Sequence, residues 1–240
     1  MTSKPPRIGF DRFIDIKWLR TALRVRTGDL TLDALSNVLD NAALGKAART
    51  KTQTVLNRLW LKPRPELAVF ADRGIEVAKE NPDLLAAALS WGMAIASYPF
   101  FGQVAELVGR LSSIQGDCAS AEIHRRMSEV YGEREGTYRM TNMVLQSQAN
   151  WGAIKRVDNG KRLIRCETMS VTDEAAVAWL VEAALRFKGK PIAVPTLQSM
   201  PVIYPFYLDQ PIAYIASKSS ILELRSEASS ERFVTLHTTE

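Results

Sequence analysis

Cysteine and histidine are nearly absent from this chain. Its 240 residues hold two cysteines, Cys118 and Cys166, and two histidines, His124 and His237. Two isolated thiols exclude the disulfide framework of small secreted domains. No apolar run follows the basic start to act as a secretory signal, and both features point to a reducing cytoplasm. Neither histidine stands near a cysteine or carboxylate at metal-ligand spacing, so no metal site and no cofactor are assigned. Catalytic signatures are missing too. Neither G-x-S-x-G nor G-x-G-x-x-G occurs. Gly45-Lys46 resembles the end of a phosphate loop, but the leading glycine position is Asp40 and the hydroxyl position is Ala47. Glu76 and Lys79 share a helix face and read as a surface ion pair rather than part of a magnesium-holding carboxylate set. The chain reads as a non-enzyme.

Charge is absent over one long stretch. Between Asp83 and Glu106 lie 22 uncharged residues, long enough for a membrane span to be considered. Gly92, Pro99, Gly102, Gln103 and two serines make the run only modestly apolar, and strongly basic flanks are missing. The better account is a buried central helix, broken near Pro99 and resumed to about Ser112, with no membrane partner. With 46% hydrophobic and 24% charged residues, the rest has the balance of an ordinary folded protein with a sizeable core.

The net charge of +5 is unevenly distributed. Residues 1–64 hold 13 Lys/Arg against 5 Asp/Glu, and residues 119–166 hold 9 against 5. The intervening and C-terminal blocks are acidic. Alternating basic and acidic blocks are expected where particular surfaces meet a polyanion, although two solvated basic helix faces would read the same way.

Periodicity and turn residues predict the elements. Residues 1–9 read as a flexible or extended arm, because Pro5 and Pro6 oppose a helix there. Helices follow over 11–25, from Thr31 to about Leu39, from about Ala47 to Leu61, and over 66–80. Beyond the uncharged stretch, Asp117 to Tyr131 is amphipathic with Ile123, Met127 and Val130 inward. A helix from Gly136-Thr137 to about Trp151 follows. Two alternating segments then flank Asp158-Asn159-Gly160, a hairpin signal. Thr172–Lys188 is a capped helix, and Gly189 to Glu240 reads as strands and irregular structure with a short helix near Gln210–Lys218.

Helix, glycine-bounded turn, helix, basic hairpin is the order of a winged helix-turn-helix. In such modules the second helix enters the major groove of DNA. Here that helix would present Thr137, Tyr138, Arg139, Thr141, Asn142 and Gln146. Arginine suits guanine, and asparagine or glutamine suits adenine, because their paired polar atoms match those base edges. The hairpin carries Lys155, Arg156, Lys161, Arg162 and Arg165, which would neutralise phosphates and fix the register. His124, Arg125 and Arg126 would add backbone contacts. A second helix-turn-helix pattern precedes Leu61. Its last helix exposes Arg49, Thr50, Lys51, Gln53, Thr54, Asn57 and Arg58, a face without any acid of its own, whereas a generic solvated helix mixes both signs.

The order of elements resembles the BrxA-like proteins of bacteriophage-exclusion (BREX) defence systems. The likeness rests on FIDIKWLR (residues 13–20), LDNAALGK (39–46) before ARTKTQTVLNRLW (48–60), YPFF (98–101) and VLQSQANWGAIKR (144–156). It covers roughly residues 10–165, and the last 55 or so residues depart from it. It implies a mainly helical fold similar to a bacterial antitermination factor, and non-catalytic binding of double-stranded DNA in a bacterial defence locus.

The expectation is therefore a mainly α protein: a helical bundle with a winged-helix-like segment and a small C-terminal β-containing extension. The expected segments are an N-terminal helical domain over 1–118, a winged-helix-like DNA-binding segment plus a helix over 119–188, and an extension over 189–240. Double-stranded DNA is the expected partner, with other defence proteins recruited through the extension. A sequence-specific transcriptional regulator, a scaffold using YPFYL (residues 204–208) and the C-terminal strands, and an RNA-binding protein are the competing readings.

Overall fold

Asp15 starts the first helix and Gly28 stops it. The Asp15 carboxylate accepts from Lys17 N at 2.8 Å, and Gly28 takes the left-handed conformation (φ 90°) that a side chain would resist. In the computed structural model, which describes residues 8–80, 82–226 and 231–237, this helix is α1 (Ile16–Thr27). It leads to α2 (Leu32–Asp40), capped by Thr31, and to α3 (Lys46–Leu56). The helix expected to run on to Leu61 instead widens into a π-helical turn over Asn57–Leu61, which keeps Leu59 and Trp60 in the core. Most of the arm expected over residues 1–9 lies outside the described residues.

Next come α4 (Pro65–Glu80), α5 (Pro82–Ser97) and α6 (Pro99–Leu111). The uncharged stretch forms α5 and most of α6, which bend by 117° about Tyr98-Pro99. The break is as expected, because proline disfavours a helical residue before it. Among the described residues no single helix is long and apolar enough to cross a membrane. Trp91, Met93, Ile95, Phe100, Phe101 and Val104 of this stretch are buried in protein instead.

A short strand, β1 (Asp117–Ala119), stands where a helix was expected to begin, and α7 (Ser120–Tyr131) starts after it. Then follow α8 (Glu135–Asn150), β2 (Ile154–Val157), β3 (Arg162–Arg165), β4 (Met169–Val171) and α9 (Glu174–Lys188). Asp173 caps α9 by accepting from Ala176 N at 2.6 Å. The last segment holds β5 (Ile192–Ala193), α10 (Val194–Gln198), β6 (Phe206–Leu208), α11 (Ile212–Lys218), β7 (Leu222–Ser226) and β8 (Arg232–Leu236). The protein is thus mainly α with three small sheets, ordered β1-β3-β2, β4-β6 and β5-β8-β7.

One hydrophobic core takes side chains from Phe10 to Val234 and so draws on all three segments expected from the sequence. Its centre is α9 against α5. Trp179 stacks on Phe70 at 4.3 Å between ring centroids and donates from Nε1 to the Phe70 carbonyl at 2.8 Å. The ring lies over Gly92 of α5, where a Cβ would collide with it. Of the YPFYL segment, Tyr204, Phe206 and Leu208 belong to this core, and Tyr207 is the exposed member of the three aromatics.

Candidate nucleic-acid interface

From α6 to β3 the chain runs helix, strand, helix, helix, strand, turn, strand. β3 is paired antiparallel to both β1 and β2, with Cys118 opposite Leu163 and Lys155 opposite Ile164. The segment thus sets α7 and α8 beside a β2–β3 hairpin whose second strand also pairs with β1. Gly132 (φ 86°) turns the chain from α7 into α8. Ile123, Met127, Met140, Val144, Leu145, Ile154 and Leu163 supply the apolar interior of the unit. At the hairpin tip Asp158, Asn159 and Gly160 all have positive φ (53°, 56° and 82°), a conformation that Asp, Asn and Gly tolerate best. Val130, expected inward, is exposed, and Tyr131 takes the buried place. The last turn of α7 thus presents a different face to α8.

The α8 helix divides into two faces. Thr137, Met140, Thr141, Val144, Leu145 and Gln148 are buried, while Tyr138 and Arg139 are exposed and Asn142 and Gln146 half-buried. Thr137 and Thr141 were expected to face outward. They are fully buried, and Thr141 Oγ1 bonds back to the Thr137 carbonyl at 2.8 Å. Asn142 and Arg156 form one unit, with Arg156 Nη2 donating to Asn142 Oδ1 at 2.7 Å. The guanidinium lies across the hairpin tip, so close that a Cβ on Gly160 would sit 2.6 Å from Nη2. The wing is thereby tied to the helix that it flanks.

His124 is not a phosphate contact of the kind expected. It is buried, its ring stacks on Tyr138 at 4.0 Å between centroids, and its Nδ1 has no hydrogen-bond partner. Desolvation, with help from the Arg156 charge, holds its pKa below the ordinary 6.5. The imidazole is neutral at pH 7. Cys118 is equally inert as a nucleophile, since burial and neighbouring Asp117 push its thiol up to about 11.

The cations expected to meet DNA fall into two groups. Arg125 bonds Glu122 (2.7 Å) and Glu129, and Arg126 bonds Glu122 at 2.6 Å. Hydrogen bonds from Arg125 and Arg126 pull the Glu122 carboxyl down to about 2. The charge of α7 is therefore largely neutralised within the helix, against the expectation that both arginines face phosphates. Arg162 is held by Asp117 of β1, with Nε 2.6 Å from Oδ2, and Arg165 turns back to the Tyr204 carbonyl at 2.9 Å. In contrast Arg139, Lys155 and Lys161 are exposed and make no ion pair among the described residues.

The N-terminal candidate face is likewise occupied. Arg49 bonds Asp40 and Ser36 Oγ, each at 2.7 Å, and Lys51 lies 3.3 Å from Asp11. Gln53 Nε2 donates to Asn57 Oδ1 at 3.1 Å, and the Arg58 guanidinium stands 5.8 Å from the Tyr98 ring centroid. Thr50 and Thr54 hydroxyls bond back to carbonyls of their own helix. The face carries no acid in sequence, but Asp11 and Asp40 reach it from outside. The Glu122–Arg125–Arg126–Glu129 cluster was legible from its three- and four-residue spacing, whereas Asp117–Arg162 is made only by strand pairing.

No protein-family model, curated protein or solved structure matches this chain.

Proposed function

We propose that this protein binds double-stranded DNA without catalysing a reaction on it, with α8 entering the major groove and the β2–β3 wing following the backbone. One observation carries the reading. The solvent side of the α8–wing unit keeps its cations Arg139, Lys155 and Lys161 unpaired, beside a side-chain pair, Asn142–Arg156, that locks wing to helix. Counterion release needs cations that a phosphate can engage, and positioning needs a stiff frame. Arg139 is the base-reading candidate, since it lies on the first exposed turn of α8. Asn142 already accepts from Arg156, so its amide NH₂ is the group left to offer. The bacterial phage-defence setting rests on the resemblance over residues 10–165.

A salt titration tests the proposal. If Arg139, Lys155 and Lys161 each meet a phosphate or displace a counterion, log affinity for duplex DNA falls against log salt with a slope of about −3. Affinity that stays flat overturns it, and metal-dependent cleavage of the duplex overturns the non-catalytic part. A protein-adaptor reading has its own observation. Exposed Val130 and Tyr138 stand beside Glu129, Glu133 and Glu135, acids that a polyanion would avoid. Flat salt dependence favours that reading.

A further inference from the structure

The first helix contains no carboxylate and four cations, Lys17, Arg20, Arg24 and Arg26. Its buried residues are Trp18, Leu19, Ala22 and Leu23. At about 100° per residue, Lys17, Arg20 and Arg24 fall within roughly 60° of one another on the opposite side. Arg26 is engaged, donating to the Trp60 carbonyl at 2.8 Å and to Asp72 at 2.5 Å. Lys17 and Arg20 are exposed and Arg24 half-buried, and among the described residues none of the three makes a side-chain hydrogen bond or an ion pair. The acids nearest in sequence are Asp15, which caps the helix through Lys17 N, and Asp29, which accepts from Thr27 Oγ1. Thus α1 lacks the internal pairing that neutralises α7.

The strip begins where the outward side of α8 ends. Arg139, Asn142, Gln146 and Asn150 follow at steps of three or four and share one face of α8. Asn150 Oδ1 accepts from Ile16 N at 2.7 Å, Ser147 Oγ accepts from Ile14 N at 2.9 Å, and Trp151 Nε1 donates to the Ile14 carbonyl at 2.8 Å. These bonds fix the start of α1 to the end of α8, and Lys17, the residue after the Ile16 that Asn150 holds, is exposed. Arg139 and Asn150 are about 16 Å apart along the helix axis, more than the ~12 Å width of a major groove. A cation beyond Asn150 therefore meets the sugar-phosphate backbone rather than base edges.

We infer that Lys17, Arg20 and Arg24 form a second phosphate-binding strip, which holds the duplex backbone flanking the segment gripped by α8 and the wing. The inference rests on the duplex-binding reading of α8. It is tested on the full-length protein with Lys17→Gln/Arg20→Gln, a change confined to exposed side chains, using fluorescently labelled duplexes of about 12 and 25 base pairs over a series of salt concentrations. On the long duplex the variant's salt slope becomes shallower by about 2, since each lost phosphate contact removes about 0.9. On the short duplex, only about 40 Å long, less backbone extends past the α8 segment, and the difference between wild type and variant is smaller. Thermal melting is unchanged. Equal slopes on both lengths, with the wild type still salt-sensitive, overturn the strip and leave the α8 reading standing. A salt-insensitive wild type overturns the duplex reading and the strip with it.

Discussion

Two basic helical faces of this protein differ in what meets their charge. On α3 and the π-helical turn that follows it, Arg49 is held by Asp40 and Ser36, Lys51 faces Asp11, and Arg58 rests against Tyr98. On the α8–wing unit, Arg139, Lys155 and Lys161 face solvent unpaired among the described residues, and the polar pair at its centre, Asn142–Arg156, joins two elements. In sequence the α3 face is the one without an acid of its own. The difference shows why net charge is a poor guide to a polyanion site. A cation already paired must exchange one anion for another and gains little, whereas an unpaired cation releases a counterion outright.

The largest expected effect breaks this comparison directly. Arg139→Ala/Lys155→Ala/Lys161→Ala should weaken duplex binding on the order of a hundredfold near 0.1 M salt and flatten the salt slope by about 3. Arg49→Ala/Lys51→Ala/Arg58→Ala removes as many charges from α3 and its π-helical extension and should change affinity by only about threefold. Anisotropy titrations of both variants at several salt concentrations decide between the faces. A reversed order would move the interface to α3.

How far the sequence reveals these faces depends on the reach of each interaction. Local signals read correctly: the cap at Thr31, the capped helix ending at Lys188, the break at Tyr98-Pro99, the Asn-Gly hairpin, and the inward Met140, Val144 and Leu145. The helix expected from Asp117 begins three residues later, at Ser120, because β1 takes Asp117–Ala119 and exists only by pairing with β3, more than forty positions later. Pairing also settles the fate of Arg162, which Asp117 reaches across that sheet. Arg49 and Asp40 face each other only because the chain turns between α2 and α3. The neutralised arginines of α7 were within reach, since Glu122 and Glu129 stand at helical pair spacing, but a count of charge over the whole block hides them. Burial of Thr137, Thr141 and His124 follows from how α7, α8 and the wing pack together, and no local pattern of polar residues announces it.

His124 gives a smaller effect, on stability, that separates the stiff frame of the α8 unit from its charge. Its folded pKa lies below the ordinary 6.5, so the unfolded chain takes up a proton first as pH falls. The contribution to stability is full above about 6.5 and declines between there and the folded value, by at most about 1.4 kcal/mol per pH unit. Wild type should therefore lose a few degrees of melting temperature between pH 7.5 and 5.5. His124→Phe keeps an aromatic ring against Tyr138 and should lose less over the same interval. Equal losses in thermal melts of the two proteins would place the acid sensitivity elsewhere.

The smallest effect sharpens the comparison by freeing a charge rather than deleting one. Asp117 holds Arg162 on the wing, as Asp40 holds Arg49 on α3. Both arginines are partly exposed, and such pairs are worth about 0–1 kcal/mol. Asp117→Asn leaves a side chain of the same shape, releases the Arg162 guanidinium and removes one negative charge beside the proposed backbone path. Duplex affinity should then rise by up to about fivefold, most visibly at low salt where surface charges are least screened. Asp40→Asn makes the same change on α3 and should leave affinity where it was, because a freed cation counts only where a phosphate lies within reach. A rise with Asp40→Asn and none with Asp117→Asn would mean that the duplex runs along α3. The two single variants, measured together at 50 and 200 mM salt, thus locate the phosphate path without removing any residue proposed to touch it.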